Sequence, residues 1–238
     1  MKGEQVTYSK GSSNLSAVFG IYSFTEFLPE AVAVFSGREF DASRDRSRFL
    51  ETLGLSPGRF CDLEQVHGNR VHVTSRPFSR REGDGLLTRG RGLALLIRTA
   101  DCVPVFFLDR KVGAAGICHA GWRGARQGIV GKMIEGFAQE FGSKNESIQA
   151  AIGPAIREMC YEVGPEFEGY FPGRVRLKGR RRFFDLVGVL KEQLSQAGIR
   201  SEAISDCGFC TACSVDRFFS ARREGTETGR LISAIVLK

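Results

Sequence analysis

The chain has no run approaching 18 consecutive apolar residues, so no transmembrane helix is expected. Its opening, Met1-Lys-Gly-Glu-Gln-Val6, lacks the apolar core of a secretory signal. The seven cysteines are odd in number and follow no disulfide framework. Without an export signal, they read as reduced thiols in a cytoplasmic protein. No repeat, low-complexity tract or linker interrupts the sequence, so residues 1–238 are expected to form a single domain. Histidine occurs only three times, as His67, His72 and His119. A chain of 238 residues buries enough apolar surface to fold without a disulfide or a structural metal. A metal site in it is therefore free to be functional.

Positive charge is in excess, with a net +7, and much of it sits in Arg174-Val-Arg-Leu-Lys-Gly-Arg-Arg-Arg-Phe-Phe184. A basic run with adjacent aromatics can hold nucleic acid. The plainer reading is a solvated loop ahead of a helix, and no nucleic-acid partner is expected. Either way, the run can attract anionic substrates.

Strands and helices become legible after residue 60. Residues 70–74, 93–97, 103–108 and 112–118 are short runs consistent with strands, the last three buried. Pro104 stands near the start of its run, where a missing donor is tolerable. Val130, Met133, Ile134, Phe137 and Phe141 recur at helical spacing, and Gly142 suits the helix end. Residues 148–152 read as a strand closed by Gly153-Pro154. Asp185 caps a second helix through Leu186, Val189, Leu190 and Leu194 to Gly198. Residues 231–237 form a last strand. Several strands follow one another directly. This favours a mixed sheet or two sheets with outer helices over a clean parallel doubly wound fold.

Three side chains carry candidate chemistry. His67 lies in Glu64-Gln-Val-His-Gly-Asn69, Cys102 in Thr99-Ala-Asp-Cys-Val-Pro104, and His119 in Cys118-His-Ala-Gly-Trp-Arg-Gly124. All fall at strand ends or turns, where reactive groups are presented. One thiolate and two imidazoles suit zinc, and three protein ligands leave a fourth position for water or substrate. The separations of 35 and 17 residues match no short zinc motif. A buried cysteine with hydrogen-bonded histidines, or a metal-free Cys–His nucleophile pair, fits the spacing as well. His72 alternates with Val71 and Val73 and reads as a surface or supporting histidine. Cys207-Gly-Phe-Cys210-Thr-Ala-Cys213 contains two overlapping C-x-x-C steps without a matching pair, and reads as ordinary thiols rather than a redox or iron–sulfur motif. Arg222 and Arg223 beside a glycine turn can hold phosphate, though a salt-bridged surface is the plainer reading.

Taken in order, Gln65-Val-His-Gly68, Asp84-Gly85, Thr99-Ala-Asp-Cys-Val-Pro104, His119-Ala-Gly-Trp-Arg-Gly124, Gly153-Pro-Ala-Ile156, Phe184-Asp-Leu186, Cys210-Thr211, Phe219-Ser-Ala-Arg-Arg223 and Thr228-Gly-Arg230 resemble the laccase-domain family, also called the polyphenol oxidase or purine nucleoside phosphorylase family. The match covers roughly residues 60–238. Upstream, Phe35-Ser-Gly-Arg38 is similar to the family's phenylalanine-serine-threonine-arginine element. The glycine-rich loop and asparagine-leucine segment that usually follow it are missing, which bears on substrate specificity more than on chemistry.

The resemblance implies an α/β (α+β) layered sandwich, with mixed β-sheets flanked by helices, similar to the catalytic domain of cytotoxic necrotizing factor, and a zinc centre on His67, Cys102 and His119. It implies phosphorolysis of adenosine, inosine, guanosine and methylthioadenosine, with deamination of adenosine as a further activity. Some bacterial members are linked instead to editing of peptidoglycan precursors, which suggests a zinc or cysteine hydrolase. A non-catalytic metal-binding protein is disfavoured, because the ligands and arginine motifs are intact. Multicopper phenol oxidation needs a histidine-rich trinuclear cluster plus a blue-copper site, and three histidines cannot supply both. A single copper in place of zinc remains compatible with the donor set. Arg38, Arg222 and Arg223 are the candidate phosphate ligands, and Asp101 is a candidate for proton transfer if burial raises its pKa. The H-x-E and P-C-x-x-C signature of zinc nucleobase deaminases is absent.

Overall fold

The computed structural model describes residues 6–10, 13–56 and 58–238. The expectation about the opening segment falls largely on residues 1–5, outside the described residues. Among the described residues, two large sheets and one small one form. The first sheet runs, edge to edge, Val6–Lys10, Ser13–Val18, Ile21–Phe24, Ala31–Ser36, Leu231–Leu237, Ala94–Thr99, Phe60–Glu64 and Phe78–Glu82. The second runs Ile204–Asp206, Ile148–Ile152, Val103–Asp109, Ala114–Ala120, Gly85–Thr88 and Val71–Val73. Both are mixed. Leu231–Leu237 is antiparallel to its two neighbours, whereas Phe60–Glu64 pairs in parallel with Ala94–Thr99. Among the described residues, no helix is long and apolar enough to cross a membrane.

Alternation along the central strands explains their unbroken apolar runs. Strands covered on both faces have no polar side to show. Leu95 and Ile97 point between the two large sheets to meet Phe106, Leu108 and Ile117, while Ala94 and Leu96 point outward to Phe49 and Leu50 of the helix Arg46–Thr52. On the far side of the second sheet, Val105 and Phe107 pack on Met133 and Phe137 of the helix Ile129–Phe141 and on Leu190 and Leu194 of the helix Leu186–Gln196. The layers are therefore helix, sheet, sheet, helices, each apolar face buried against the next. Each fully buried Leu or Phe here contributes about 1.5–3 kcal/mol.

The two long helices end where their sequences indicate. Gly142 adopts a left-handed φ of 68° at the C-cap of Ile129–Phe141, and the Asp185 carboxylate accepts the Gly188 N–H at the start of the next helix. The segment before Ile129 differs from one long helix. Trp122–Arg126 is a separate short helix, broken from the next by Gly128 at φ 76°.

The basic run is a correction. It is a β-hairpin, Val175–Lys178 with Arg181–Phe184, turned at Gly179, and not a loop. Phe183 and Phe184 are buried and anchor it. Four of its arginines face carboxylates: Arg174 with Glu192, Arg176 with Glu158, Arg181 with Glu162 and Arg182 with Glu168. Exposed pairs of this kind stabilise little, but they neutralise a stripe that would otherwise attract phosphodiesters.

Asp206 shows the opposite regime. Arg157 forks onto both its oxygens at 2.9 and 2.7 Å, Lys191 reaches Oδ2 at 2.7 Å, and the Gly208 N–H donates to Oδ1. Burial alone would raise its pKa, yet the Arg157 hydrogen bonds and charge, with Lys191, bring it down to about 2. The unfolded chain, with an ordinary aspartate near 3.9, binds more protons in this window. The carboxylate's contribution of about 2 kcal/mol is thus fully present above about pH 4 and lost as pH falls towards 2. Asp206→Asn is expected to be less stable than wild type at pH 6, with the gap closing on acidification. Urea unfolding at pH 6 and pH 3 measures it.

Candidate metal centre

His67, Cys102 and His119 come together. Each offers one ligand atom, and these atoms lie within 4.8 Å of one another. The two imidazoles meet edge to face with centroids 4.7 Å apart. Cys102 precedes the strand Val103–Asp109, and His119 ends the neighbouring strand, because Pro104 and His119 are register partners. The antiparallel pairing itself thus delivers two of the three ligands to one sheet end. His67 arrives from the turn after Phe60–Glu64, held at a left-handed φ of 59°. Asp101, next to Cys102, is also left-handed at φ 85°. Non-glycine residues sit there only where surroundings over-determine them, and two such positions flank one centre.

What over-determines His67 is Asp84, whose importance the sequence signalled only as an acid next to a glycine. Asp84 is fully buried and accepts N–H bonds from Val66, His67 and Gly68 at 3.3, 3.0 and 2.7 Å. It also takes the His119 Nδ1–H at 2.8 Å. One carboxylate therefore shapes the His67 turn and fixes the His119 tautomer, leaving His119 Nε2 towards Cys102. Burial would raise the pKa of Asp84, but the His119 hydrogen bond and the Gly68 and His67 N–H groups hold it below the carboxylate range. Burial would likewise raise that of Cys102, but the charge and hydrogen bonds of His119 and His67 bring it down to about 6. His119 is opposed by burial and raised by the Cys102 charge and Asp84 to about 9. Without a metal, these shifts favour a thiolate on Cys102 beside a protonated His119. A soft thiolate plus imidazoles, one backed by a carboxylate, is the donor chemistry of zinc or copper sites, so the residues present fit a metal.

Close packing around the centre requires glycine. A Cβ on Gly121 would stand 3.1 Å from both Cys102 Sγ and His67 Cδ2. Gly121→Ala is expected to lower metal affinity about tenfold, in line with overpacking costs of about 1–3 kcal/mol. Gly131→Ala, where a Cβ meets open space on a helix, is the control and is expected to stabilise by about 0.5–1 kcal/mol. Chelator competition and thermal melting separate the two.

The centre opens into a pocket of about 660 Å³. Its wall carries Tyr161 and four arginines, Arg98, Arg123, Arg222 and Arg230. Arg98 and Arg230 each spend hydrogen bonds on backbone carbonyls. Arg222 gives one to the Glu162 carbonyl at 2.7 Å and lies over Tyr161. Arg123 rests on Trp122, with no hydrogen bond from its guanidinium to a described residue.

Three sequence candidates land differently. Arg223 reaches the carbonyls of Thr211, Ala212 and Phe218, and Arg38 binds the Val215 carbonyl and Glu224; neither lines the pocket. Asp101 lines it, but both its oxygens are engaged, one by the Thr211 hydroxyl at 2.6 Å and one by the Arg222 N–H at 2.7 Å. It braces the arginine-bearing turn. His72 stands apart, its Nε2 on the Glu82 carbonyl at 2.9 Å. The cysteines of the run 207–213 are free thiols, as expected, but not all stand apart. Cys207 is buried alone, while Cys210 and Cys213 meet Cys160 in a second cluster.

Residues 37–238 match the model of the family described as multi-copper polyphenol oxidoreductase laccase. The chain belongs to that family. Among its laccase-domain relatives, a purine nucleoside phosphorylase of Bacteroides thetaiotaomicron is 37% identical over 223 residues, 85% of this chain and 83% of that one. A protein named adenosine deaminase RL5, from an unknown prokaryotic organism, is 33% identical over 205 residues, covering 78% of each. The crystal structure of Bacillus licheniformis hypothetical protein YfiH superposes with a TM-score of 0.85 at 27% identity, covering 92% of this chain and 97% of that one. The multicopper part of the family's description does not fit this member. His72 lies away from the centre, and the two remaining histidines cannot build a trinuclear copper site.

Proposed function

We propose that the chain is a zinc-dependent purine nucleoside phosphorylase acting on adenosine, inosine, guanosine and methylthioadenosine, and that residues 1–238 work as one catalytic unit. The observation that carries this is the pocket joining the His67–Cys102–His119 centre to an arginine-lined wall. Phosphorolysis breaks the bond from sugar C1′ to the purine nitrogen and forms one from C1′ to a phosphate oxygen. The attacking phosphate is a multiply charged anion that must be held at the sugar. Arg123, whose guanidinium is uncommitted, and Arg222, with N–H groups to spare, supply charged donors in a partly dry cleft. Asp101 holds the Arg222 backbone and so fixes where that guanidinium stands. Tyr161 offers a face for the base. Zinc, held by His67, Cys102 and His119, supplies Lewis-acid polarisation when bound.

Deamination of adenosine is a second reading, favoured by the similarity to a relative named adenosine deaminase. The test is a purified, zinc-loaded preparation assayed on inosine and adenosine, with and without phosphate. Hypoxanthine release from inosine that requires phosphate supports phosphorolysis. Ammonia from adenosine that does not require phosphate supports deamination. Full zinc occupancy with no turnover of either nucleoside would overturn both and turn attention to amide hydrolysis.

A further inference from the structure

The second thiol cluster lies outside the catalytic centre. Cys160, from the segment 158–160, meets Cys210 and Cys213 of the loop after Ile204–Asp206, and the three sulfurs lie within 4.8 Å of one another. Cys160 Sγ and Cys213 Sγ stand 2.9 Å apart. Cys210 is anchored by a backbone bridge to Ala155, and, against burial, nearby backbone amides hold its thiol below the usual range. A C-x-x-C turn met by a third cysteine from another segment gathers three sulfurs at one point. Cys160 stands 50 residues earlier in the chain, its segment held beside this loop by the Arg157–Asp206 salt bridge and the Ala155–Cys210 bridge.

We propose that Cys160, Cys210 and Cys213 form a second metal site, for zinc(II), with the fourth position open to water. Each thiol that is protonated gives its proton to solvent as the ion binds. Zinc–sulfur bonds of about 2.3 Å set sulfur–sulfur edges of about 3.8 Å, so binding spreads the Cys160–Cys213 pair by roughly 0.9 Å. Cys160 is half-buried and Cys213 exposed. The site clips two walls of the pocket together. Tyr161, beside Cys160, lines the pocket, and Thr211, beside Cys210, donates to Asp101. The proposal does not depend on the phosphorylase reading.

The test uses Cys102→Ala, which lacks the catalytic centre, and the same chain carrying Cys160→Ser or Cys213→Ser in addition. Reduced, metal-free protein is titrated with cobalt(II) as a spectroscopic stand-in, then with zinc. The expected result is one equivalent bound by Cys102→Ala, with intense near-ultraviolet thiolate-to-cobalt absorption that zinc displaces. Either added serine should cut affinity about 100-fold or more, without changing the fold by circular dichroism. No thiolate-to-metal band in Cys102→Ala would overturn the proposal. Two fewer titratable thiols in the protein as isolated, restored by reductant, would overturn it in favour of a Cys160–Cys213 disulfide.

Discussion

Cys102→Ala is expected to abolish metal retention at the His67–Cys102–His119 centre and reduce nucleoside turnover to background. Zinc sites with four ligands gain about 10–16 kcal/mol on binding, so one ligand's share is about 3 kcal/mol, or roughly 100- to 1,000-fold in affinity. The thiolate's share is the larger, because it carries the negative charge of the donor set. The substitution also unbalances the metal-free centre. The Cys102 thiolate is the leading cause that raises His119 to about 9. Without that charge, burial gains ground and His119 must titrate lower. Metal analysis of the isolated variant, with a proton-resonance titration of His119 in metal-free protein, gives two independent readings. A variant that keeps one zinc at this centre, or whose His119 still titrates near 9, would contradict the assignment.

Asp84→Asn is expected to be nearly as severe, although Asp84 does not line the pocket. The carboxylate accepts four hydrogen bonds, and an amide has one oxygen for them and two hydrogens of its own to place. At least one buried N–H of the His67 turn then goes unpaired, at about 1–3 kcal/mol. His119 loses the acceptor that fixes its tautomer. Partners of this kind typically change metal affinity or activity about 10- to 100-fold. Calorimetric zinc titration and thermal melting of the metal-free protein separate the two effects. Loss of affinity with an unchanged melting point would assign Asp84 to the histidine alone, and the reverse would assign it to the turn alone.

Local signals in the sequence carried far. The spacing of Val130, Met133, Ile134 and Phe137 marks a helix because one helical face is buried, and the Asp185 cap is a local hydrogen bond. The strands Ile148–Ile152 and Leu231–Leu237 are legible because both their faces are covered. The order of strands was not legible. Leu231–Leu237 inserts between Ala31–Ser36 and Ala94–Thr99, pairings between residues far apart in the chain, such as Ser233 with Phe35 and Leu231 with Thr99. The early strands went unread, as did the helix Arg46–Thr52.

The meeting of His67, Cys102 and His119 was foreshadowed by residue type, but the role of Asp84 depends on a turn that forms around it. Arg222 and Arg223 look equivalent in sequence. On the helix Ala221–Glu224, successive side chains diverge by about 100°. One therefore faces the pocket, and the other ties down the loop 211–218. Cys160 escaped notice as a partner of Cys210 and Cys213 because nothing in its neighbourhood marks it.

The shared grip of Asp84 on the His67 turn and the His119 ring has a kinetic consequence. The His119 ring cannot turn out without breaking its bond to Asp84, and the backbone under His67 cannot shift without breaking bonds to the same carboxylate. A local opening that frees Asp84 therefore loosens two ligands together and is the expected exit route for the ion. Exchange with a chelator should then be slow and independent of chelator concentration once that is high, its rate set by the breathing of the protein rather than by the strength of any single metal bond.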